Sequence, residues 1–298
     1  MNPEPLVSVI IPTFNGAKYI GAAIDSILAQ TYRHVEVLVV DDGSTDETPA
    51  IVRGYGAPVH YVQQSNAGTA AARNTGVRVS RGEIVALLDH DDLWLPRKLE
   101  RQLPLFERDP KVGLVFAGIE FFLNDTGRVT ATYFPAEELS AHDLLAHEVL
   151  PIQTVMFRRS ALDKVGPFDT ALRGTDDWDM SIRMGAEFRV VGFPETLARV
   201  RLHETQQGRN ADNMFHQAMR VVEKHEHLHP GCRECAAAAR KSRGILREDY
   251  YGHIKGRAVA AWSEGRRASA TFTAVRAFWE NPPALWRVLG RCVTGKPA

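Results

Sequence analysis

The chain has 298 residues, 36 Lys/Arg balanced by 36 Asp/Glu, 44% hydrophobic residues and three cysteines. This length and apolar content suit one large α/β domain with a core of its own plus a smaller appendage. Three cysteines make no disulfide framework, and no apolar run reaches the length of a membrane span.

Charge is distributed unevenly. From Arg233 onward there are 13 basic and 5 acidic residues, so the preceding segment carries 23 basic and 31 acidic. An acidic front and a basic tail argue against one uniform nucleic-acid-binding surface. The tail reads either as a solvated helical face or as a surface for anionic lipid or an acidic partner. The N-terminus lacks a charged-then-apolar leader, so a cytoplasmic protein is expected, unattached or peripheral on the inner membrane face.

Val7 to Ile11 predicts a strand, followed by the turn Pro12-Thr13-Phe14-Asn15-Gly16. Tyr19 to Gln30 predicts a helix with Ile20, Ile24, Ile27 and Leu28 on one face. Val35 to Val40 is a nearly continuous apolar run, as in a strand covered on both faces, and ends in Asp41-Asp42-Gly43-Ser44. Ser44 with Glu47 three residues on resembles a capping box. His60 to Gln63 reads as a strand, Ala70 to Val79 as a helix and Ile84 to Leu88 as a strand. Val112 to Phe116 and Thr154 to Phe157 are further strand candidates, with Gly118 to Glu148 read as an irregular insertion over the site. Leu197 to Val200 is the last strand candidate, and beyond about Gln206 the pattern is helical.

Strands alternating with helices imply right-handed βαβ crossovers and a mostly parallel sheet. Pro12–Asn15, Asp41–Asp42, Asn66–Gly68 and Asp89–Asp92 each follow a strand candidate. In such a sheet these polar loops converge on the carboxyl edge, where open α/β sheets bind ligands.

The block Asp89-His90-Asp91-Asp92 concentrates carboxylates that repel one another unless a cation lies among them. Hard oxygen donors favour Mg²⁺ or Mn²⁺. The competing reading is a polar loop in which Asp92 caps the segment Trp94 to Leu105.

Five motifs in this order resemble those of inverting family 2 glycosyltransferases of the GT-A fold. They are Val9-Ile10-Ile11-Pro12-Thr13-Phe14-Asn15; Val39-Val40-Asp41-Asp42-Gly43-Ser44-Thr45-Asp46; Asn66-x-Gly68 with Ala72-Arg73-Asn74-x-Gly76; Leu88-Asp89-His90-Asp91-Asp92; and Asp176-Asp177-Trp178-Asp179. The resemblance spans about Val7 to His203. It implies a Rossmann-like sheet flanked by helices, with a catalytic domain at 1–207 and a helical extension at 208–298.

The same resemblance implies transfer of a sugar from a nucleotide-diphosphate sugar, a UDP-sugar first, to a carbohydrate, lipid-linked or other hydroxyl acceptor. Polysaccharide or glycoconjugate synthesis is the implied setting. Pro12, Thr13, Phe14, Asn15, Asp42, Gly68, Arg73 and Asp89 would bind the nucleotide donor. Phe14 stands where many relatives have Tyr, which leaves ring contact and removes a hydroxyl. Asp42 would accept from the base or cap a helix. Arg73 would fork onto the diphosphate, contact the base, or sit in a surface ion pair. Asp91, with Asp92 and His203, would hold Mn²⁺ or Mg²⁺. His203 reads equally as a structural histidine, while His90 is a bystander. Asp177, the second acid of its pair, would be the catalytic base. Asp176 would touch the acceptor or support its neighbour. Trp178 would stack on the acceptor sugar or lie in a helix core, and Arg183 pairs with Asp179 at helical spacing.

Two other classes leave part of the pattern unused. A haloacid dehalogenase-like phosphohydrolase would make Asp89 a nucleophile and leave Asp42, Arg73 and the Asp176–Trp178 motif idle. A non-catalytic nucleotide-sugar-binding module would use the loops without the base. A dinucleotide oxidoreductase is disfavoured, since no Gly-x-Gly-x-x-Gly follows the first strand.

In the tail, His225, His227, His229, Cys232 and Cys235 form a cluster. It reads as a helix end at Pro230-Gly231, or as a zinc site lacking a second well-spaced ligand pair. Ala236 to Trp286, with Val275, Phe278 and Trp279 on one face, resembles a single helical hairpin of the tetratricopeptide kind. One copy would need to dock on the catalytic domain or a partner, with membrane-surface contact as the other option.

Overall fold

The structure, a computed structural model, describes residues 4–134, 136–146, 150–203 and 211–264. The chain forms two compact units, Met1–Leu144 with Glu148–Gln207, and Leu145–His147 with Gly208–Ala298.

The first unit begins β1 (Val7–Thr13), α1 (Ile20–Leu28), β2 (Val35–Asp41), α2 (Thr48–Arg53), β3 (Val59–Gln63), α3 (Thr69–Val79), β4 (Ile84–Leu87). Every residue of β1 is buried, the mark of a strand covered on both faces. The buried residues of α1 are Ile20, Ala23, Ile24 and Ile27, spaced to form one helical face. That face packs with Val7, Val9 and Ile11 of β1 in the main apolar core. On α3, a Cβ at Gly76 would collide with Ile10, so the glycine permits close packing of this helix on β1.

There follow β5 (Leu93–Trp94), α4 (Lys98–Arg108), β6 (Val112–Leu123), β7 (Val129–Tyr133), β8 (Glu138–Leu139) and α5 (Ala141–Leu145). A short 3-10 turn at Ile152–Thr154 leads to β9 (Met156–Arg158), α6 (Arg159–Val165), α7 (Asp176–Glu187) and β10 (Arg189–Leu202). All ten strands belong to one sheet, with the central order β3-β2-β1-β4-β9-β6-β10-β5. β3, β2, β1 and β4 run parallel. β9 is antiparallel to both β4 and β6, while β6 and β10 are parallel. The sheet is therefore mixed: the expected parallel half is joined to a second half that β9 reverses.

Several expected boundaries move. The segment from Gly118 is not an irregular insertion: β6 continues through it to Leu123, and β7 and β8 add to the sheet. The last strand is 14 residues long rather than four, with register shifts around Pro194, which has no amide to give the ladder. Ser44 does not cap α2, because its hydroxyl accepts from the Asn15 amide. Asp46 instead accepts from Thr48 N–H and Oγ1–H. Asp92 does not cap a helix either, since β5 intervenes and α4 begins at Lys98.

The second unit contains α8 (Ala211–His225) and α9 (Arg233–Ser263). Phe215 stacks on Tyr250 at 4.3 Å, and Arg243 pairs with Glu226. Partners that rise in number on one helix fall on the other, so the two pack antiparallel. Ala236 to Ser263 is one continuous helix paired with α8, and the remainder of the segment read as a hairpin, to Trp286, lies outside the described residues. Val275, Phe278 and Trp279 lie outside the described residues. Among the described residues no helix is long and apolar enough to cross a membrane.

Candidate active site

Register brings the polar loops together. β1 and β2 pair from Val7↔Val35 to Thr13↔Asp41, so both strands end side by side. Asn15 stitches their loops, its amide donating to Ser44 Oγ at 2.8 Å and its Oδ1 accepting from Thr45 N–H at 2.8 Å. Asn15 has a φ of 51°, a turn value that asparagine tolerates. Gly16 N–H donates to Thr48 Oγ1 and Ala17 N–H to Asp46, securing the loop on α2.

This leaves Phe14 47% exposed on the loop. Behind it Pro12 is buried, and the buried Thr13 Oγ1 has no hydrogen-bond partner. Asp42 is also buried, and its carboxylate accepts from Gln64 Nε2 at 2.7 Å, Ala67 N–H at 2.8 Å and Gly68 N–H at 2.8 Å. Asp42 thereby shapes the approach to α3, with Gly68 in a left-handed turn at φ 93°.

Asp89 to Asp92 forms a turn closed by the Asp92 N–H donating to the Asp89 carbonyl at 3.1 Å. Its four residues have separate surroundings. Asp89 Oδ1 accepts from Arg73 Nη2 at 3.2 Å. Burial pushes the Asp89 carboxyl up, and Arg73 offsets part of that. Asp92 is fully enclosed, accepting from Arg201 N–H at 2.8 Å and from the Gln153 side chain. Its carboxyl is raised well above the usual range, first by burial and then by Asp91 and Asp89. Asp91 Oδ2 lies 2.8 Å from His203 Nε2, with 17% and 9% of the side chains exposed. His90 sits where a Cβ on Gly16 would strike it, against the β1 loop.

α7 brings a second acidic block. Asp176 and Asp179 are buried, the former bonded to Arg73 Nη1 at 2.8 Å and the latter to Arg183 at 2.8 Å. Asp177 is partly exposed, and one of its oxygens accepts from Trp178 N–H at 2.8 Å. Its carboxyl is pushed up to about 6: burial raises it, Arg73 pulls it down, and Asp176 and Asp89 raise it further. Arg73 links the two blocks. Burial alone would lower its pKa, but Asp176, Asp89 and Asp177 together hold it above the ordinary arginine value.

For three residues the structure matches the structural alternative rather than the ligand contact. Both terminal nitrogens of Arg73 are engaged by carboxylates inside the protein, an ion pair that joins Asp176 and Asp89. Trp178 is 2% exposed and donates from Nε1 to the Leu144 carbonyl at 2.7 Å, so its ring is core and not a sugar platform. Asp176, 1% exposed, is enclosed with Arg73 and does not face an acceptor.

Arg201 is the residue whose importance the sequence reading missed. Its Nε donates to the Asp91 carbonyl at 2.8 Å, and its guanidinium lies 4.9 Å from the Tyr19 ring and 4.7 Å from that of Phe122. Tyr19 also lies 4.9 Å from the His203 ring. The available signal was alternation, since Arg201 and His203 stand two apart at the end of β10 and share a face.

Asp91 Oδ2 and His203 Nε2 are spaced as two ligands of one small divalent cation. Bonds of about 2.1 Å at right angles put neighbouring ligand atoms about 3 Å apart. The residues therefore fit a cation held by one carboxylate and one imidazole, with Asp92 fixing the turn.

The candidate site thus combines an exposed ring on the first loop, an acidic turn after the fourth strand and a partly exposed carboxylate at a helix opening. The family model for glycosyl transferase family 2 matches residues 8–166. An uncharacterized glycosyltransferase of Rickettsia typhi is 35% identical over 221 residues, 71% of this chain and 69% of its own. TuaG of Bacillus subtilis, named for teichuronic acid biosynthesis, is 33% identical across 67% of this chain and 81% of its own. This chain belongs to glycosyl transferase family 2.

Among solved structures, S. aureus TarS 1–349 in complex with UDP-GlcNAc superposes with a TM-score of 0.64 at 20% identity, covering 81% of this chain and 71% of that one. In a longer TarS chain the match spans 43%. The mannosyltransferase PcManGT of Pyrobaculum calidifontis, in complex with GDP-Man and Mn²⁺, gives 0.66 at 21% identity over 99% of this chain and 82% of its own. These likenesses establish the GT-A fold. Family membership also sets aside the phosphohydrolase reading of Asp89.

Proposed function

We propose that this glycosyltransferase moves a sugar from a nucleotide-diphosphate sugar, a UDP-sugar first, to a hydroxyl of a carbohydrate or lipid-linked acceptor, with inversion at the anomeric carbon. The observation that carries this reading is the sorting of carboxylates at the start of α7. Asp176 and Asp179 are buried against arginines, and Asp177 alone of the three is partly exposed. A carboxyl pushed up to about 6 is still ionised at neutral pH and is a stronger base than an ordinary aspartate.

In this mechanism Phe14 offers a ring face to the base, and Thr13 Oγ1 is a polar atom in need of a partner. Asp42 supports the donor pocket by fixing residues 64–68 and keeps acceptor capacity for the base. Asp89 lies toward the donor sugar and is steadied by Arg73. Asp177 takes the proton from the acceptor hydroxyl as its oxygen attacks the anomeric carbon, and the nucleoside diphosphate departs from the opposite face. Arg73 holds Asp177 and Asp89 in one electrostatic unit and pulls the Asp177 carboxyl down, against the rise that burial causes. Asp91 and His203 would hold Mn²⁺ or Mg²⁺, whose chemistry is to neutralise charge on the departing diphosphate.

The test has two stages. Thermal midpoints with UDP, GDP, dTDP and CMP, each with and without Mn²⁺, should show a selective rise with one nucleotide. The matching sugar donors are then assayed for transfer, with product anomeric configuration read by NMR. Retained configuration would refute inversion. Nucleotide binding with neither transfer nor donor hydrolysis would instead make the chain a binding module.

A further inference from the structure

We propose that the second unit carries a structural zinc site made by His229, Cys232 and Cys235, separate from the catalytic cleft.

The sequence His229-Pro230-Gly231-Cys232-Arg233-Glu234-Cys235 builds the cluster in two steps. The first is a tight turn: Cys232 N–H donates to the His229 carbonyl at 3.1 Å, and Gly231 takes a φ of 73°. Proline at the second position and left-handed glycine at the third are the residues such a turn demands. This turn returns residue 232 to residue 229. The second step is the first turn of α9, which opens at Cys232 as its cap and brings Cys235 back over it, with Cys235 N–H donating to Cys232 Sγ at 3.3 Å. Of the five tail residues noted in the sequence, the fold gathers these three. His225 is buried on α8, and His227 is exposed beside Glu226.

One ligand atom from each of His229, Cys232 and Cys235 lies within 4.8 Å of the others. Cys235 Sγ and His229 Nδ1 are 3.5 Å apart. Tetrahedral zinc, with Zn–S about 2.3 Å and Zn–N about 2.0–2.1 Å, sets adjacent S and N ligands about 3.5 Å apart and two sulfurs about 3.8 Å apart. The cluster is thus close to a ligand cage without rearrangement of the backbone. Cys232 and Cys235 carry thiols, not a disulfide. Two thiolates with one imidazole are a donor set that selects zinc over Mg²⁺ or Mn²⁺, and binding releases the thiol protons to solvent. Cys235 is buried while His229 is exposed, and these three donors leave one position of a tetrahedral ion to a fourth ligand. Because the cluster lies between α8 and α9, an ion bound there would fix the turn that sets the helical pair.

The experiment uses the full chain, purified in metal-free buffer. Elemental analysis should find about one zinc per chain, lost in C232S/C235S and reduced in H229A. Cobalt replacing the zinc should give thiolate-to-cobalt charge-transfer absorption, absent from C232S/C235S and unchanged in D91N, which separates this site from the cleft. If the double variant fails to fold, H229A and chelator-treated wild type reloaded with cobalt carry the same comparison. Folded, reduced wild type that holds no zinc and gives no such absorption would overturn the proposal. So would zinc content equal in wild type and H229A with an unchanged cobalt spectrum, or a Cys232–Cys235 disulfide that binds no cobalt after reduction.

Discussion

The turn Asp89–Asp92 and the opening of α7 at Asp176–Asp179 each pack three aspartates into four residues, yet they neutralise charge differently. At the turn the compensation comes mainly from β10 through the Arg201 amide on Asp92 and the His203 ring on Asp91, with Arg73 reaching only Asp89. At the helix it comes from guanidinium groups, Arg73 on Asp176 and Arg183 on Asp179. The difference shows in the partly exposed carboxylates, Asp89 and Asp91 in the turn and Asp177 alone in the helix. Asp91 stands next to the His203 imidazole and suits a cation. Asp177 stands near a buried arginine already engaged elsewhere and is raised toward neutrality by burial. One class of side chain thus yields a ligand in one block and a base in the other.

The largest expected effect breaks the second half of this comparison. Asp177→Asn should lower turnover by about 10²–10⁴ while nucleotide binding, read by thermal shift, stays. Wild-type turnover in that variant would remove Asp177 from the role of base. In the parent enzyme kcat/KM should rise with pH through about 6 and then level off, because the base must be ionised. The stability effect has the opposite sense. A carboxyl raised from 3.8 to about 6 by folding supports the native state below its unfolded value and loses that contribution as pH climbs through about 6. Asp177→Asn should therefore be more stable than wild type at pH 8, by about 1–3 kcal/mol, with the gap closing toward pH 4. Denaturant melts at the two pH values check the sign.

Arg73→Ala should be next, since it strips both blocks at once. Leaving the buried Asp176 and the partly exposed Asp89 without their cation should cost about 3–5 kcal/mol of stability, most of it at Asp176. It should also move the rising limb of the pH profile above its wild-type position, because Arg73 is what pulls the Asp177 carboxyl down. A variant as stable as wild type, with an unmoved profile, would show that the two blocks are not coupled through this residue.

Asp91→Asn against Asp92→Asn sharpens the first half. If Asp91 is the ligand, its loss should weaken Mn²⁺-dependent nucleotide binding by at least about tenfold, or about 1.4 kcal/mol. Asp92→Asn keeps an acceptor for the Arg201 amide and removes a buried charge, so it should leave the metal titration within about twofold. Equal loss in both would return Asp92 to the ligand set.

What the sequence made legible divides along the same line. The parallel half was readable because its strands are buried on both faces and show as apolar runs, as in Val35–Val40. Their loops then fall at one edge by topology alone. The second half was obscured where burial is partial: β7 is almost wholly exposed, so its short Val-Thr-Ala-Thr-Tyr run marks no core face. Pairings across the site were also hidden, because Arg73 and Asp176 lie 103 residues apart. Arginine at 73 announces a charge but not its partner, and only the meeting of α3 with α7 turns an expected phosphate clamp into an internal brace. His229, Cys232 and Cys235 gave the reverse case. The turn and the helix start were readable locally, but that His229 closes on Cys235 while His225 and His227 do not is a matter of chain path.

Trp178→Phe tests the smallest effect and the most specific correction. The indole is buried and its N–H donates to the Leu144 carbonyl, so the substitution removes one hydrogen bond and keeps an aromatic ring in the core. The expected loss is about 1 kcal/mol of stability, somewhat more if the carbonyl is left without a donor. A core residue that touches no substrate should leave the acceptor KM within about twofold at a temperature where the variant is folded. A rise of tenfold or more in KM, with melting unchanged, would instead mean that the indole reaches the acceptor. Asp177 would then share its side of the cleft with a sugar platform that the buried ring of this structure does not provide.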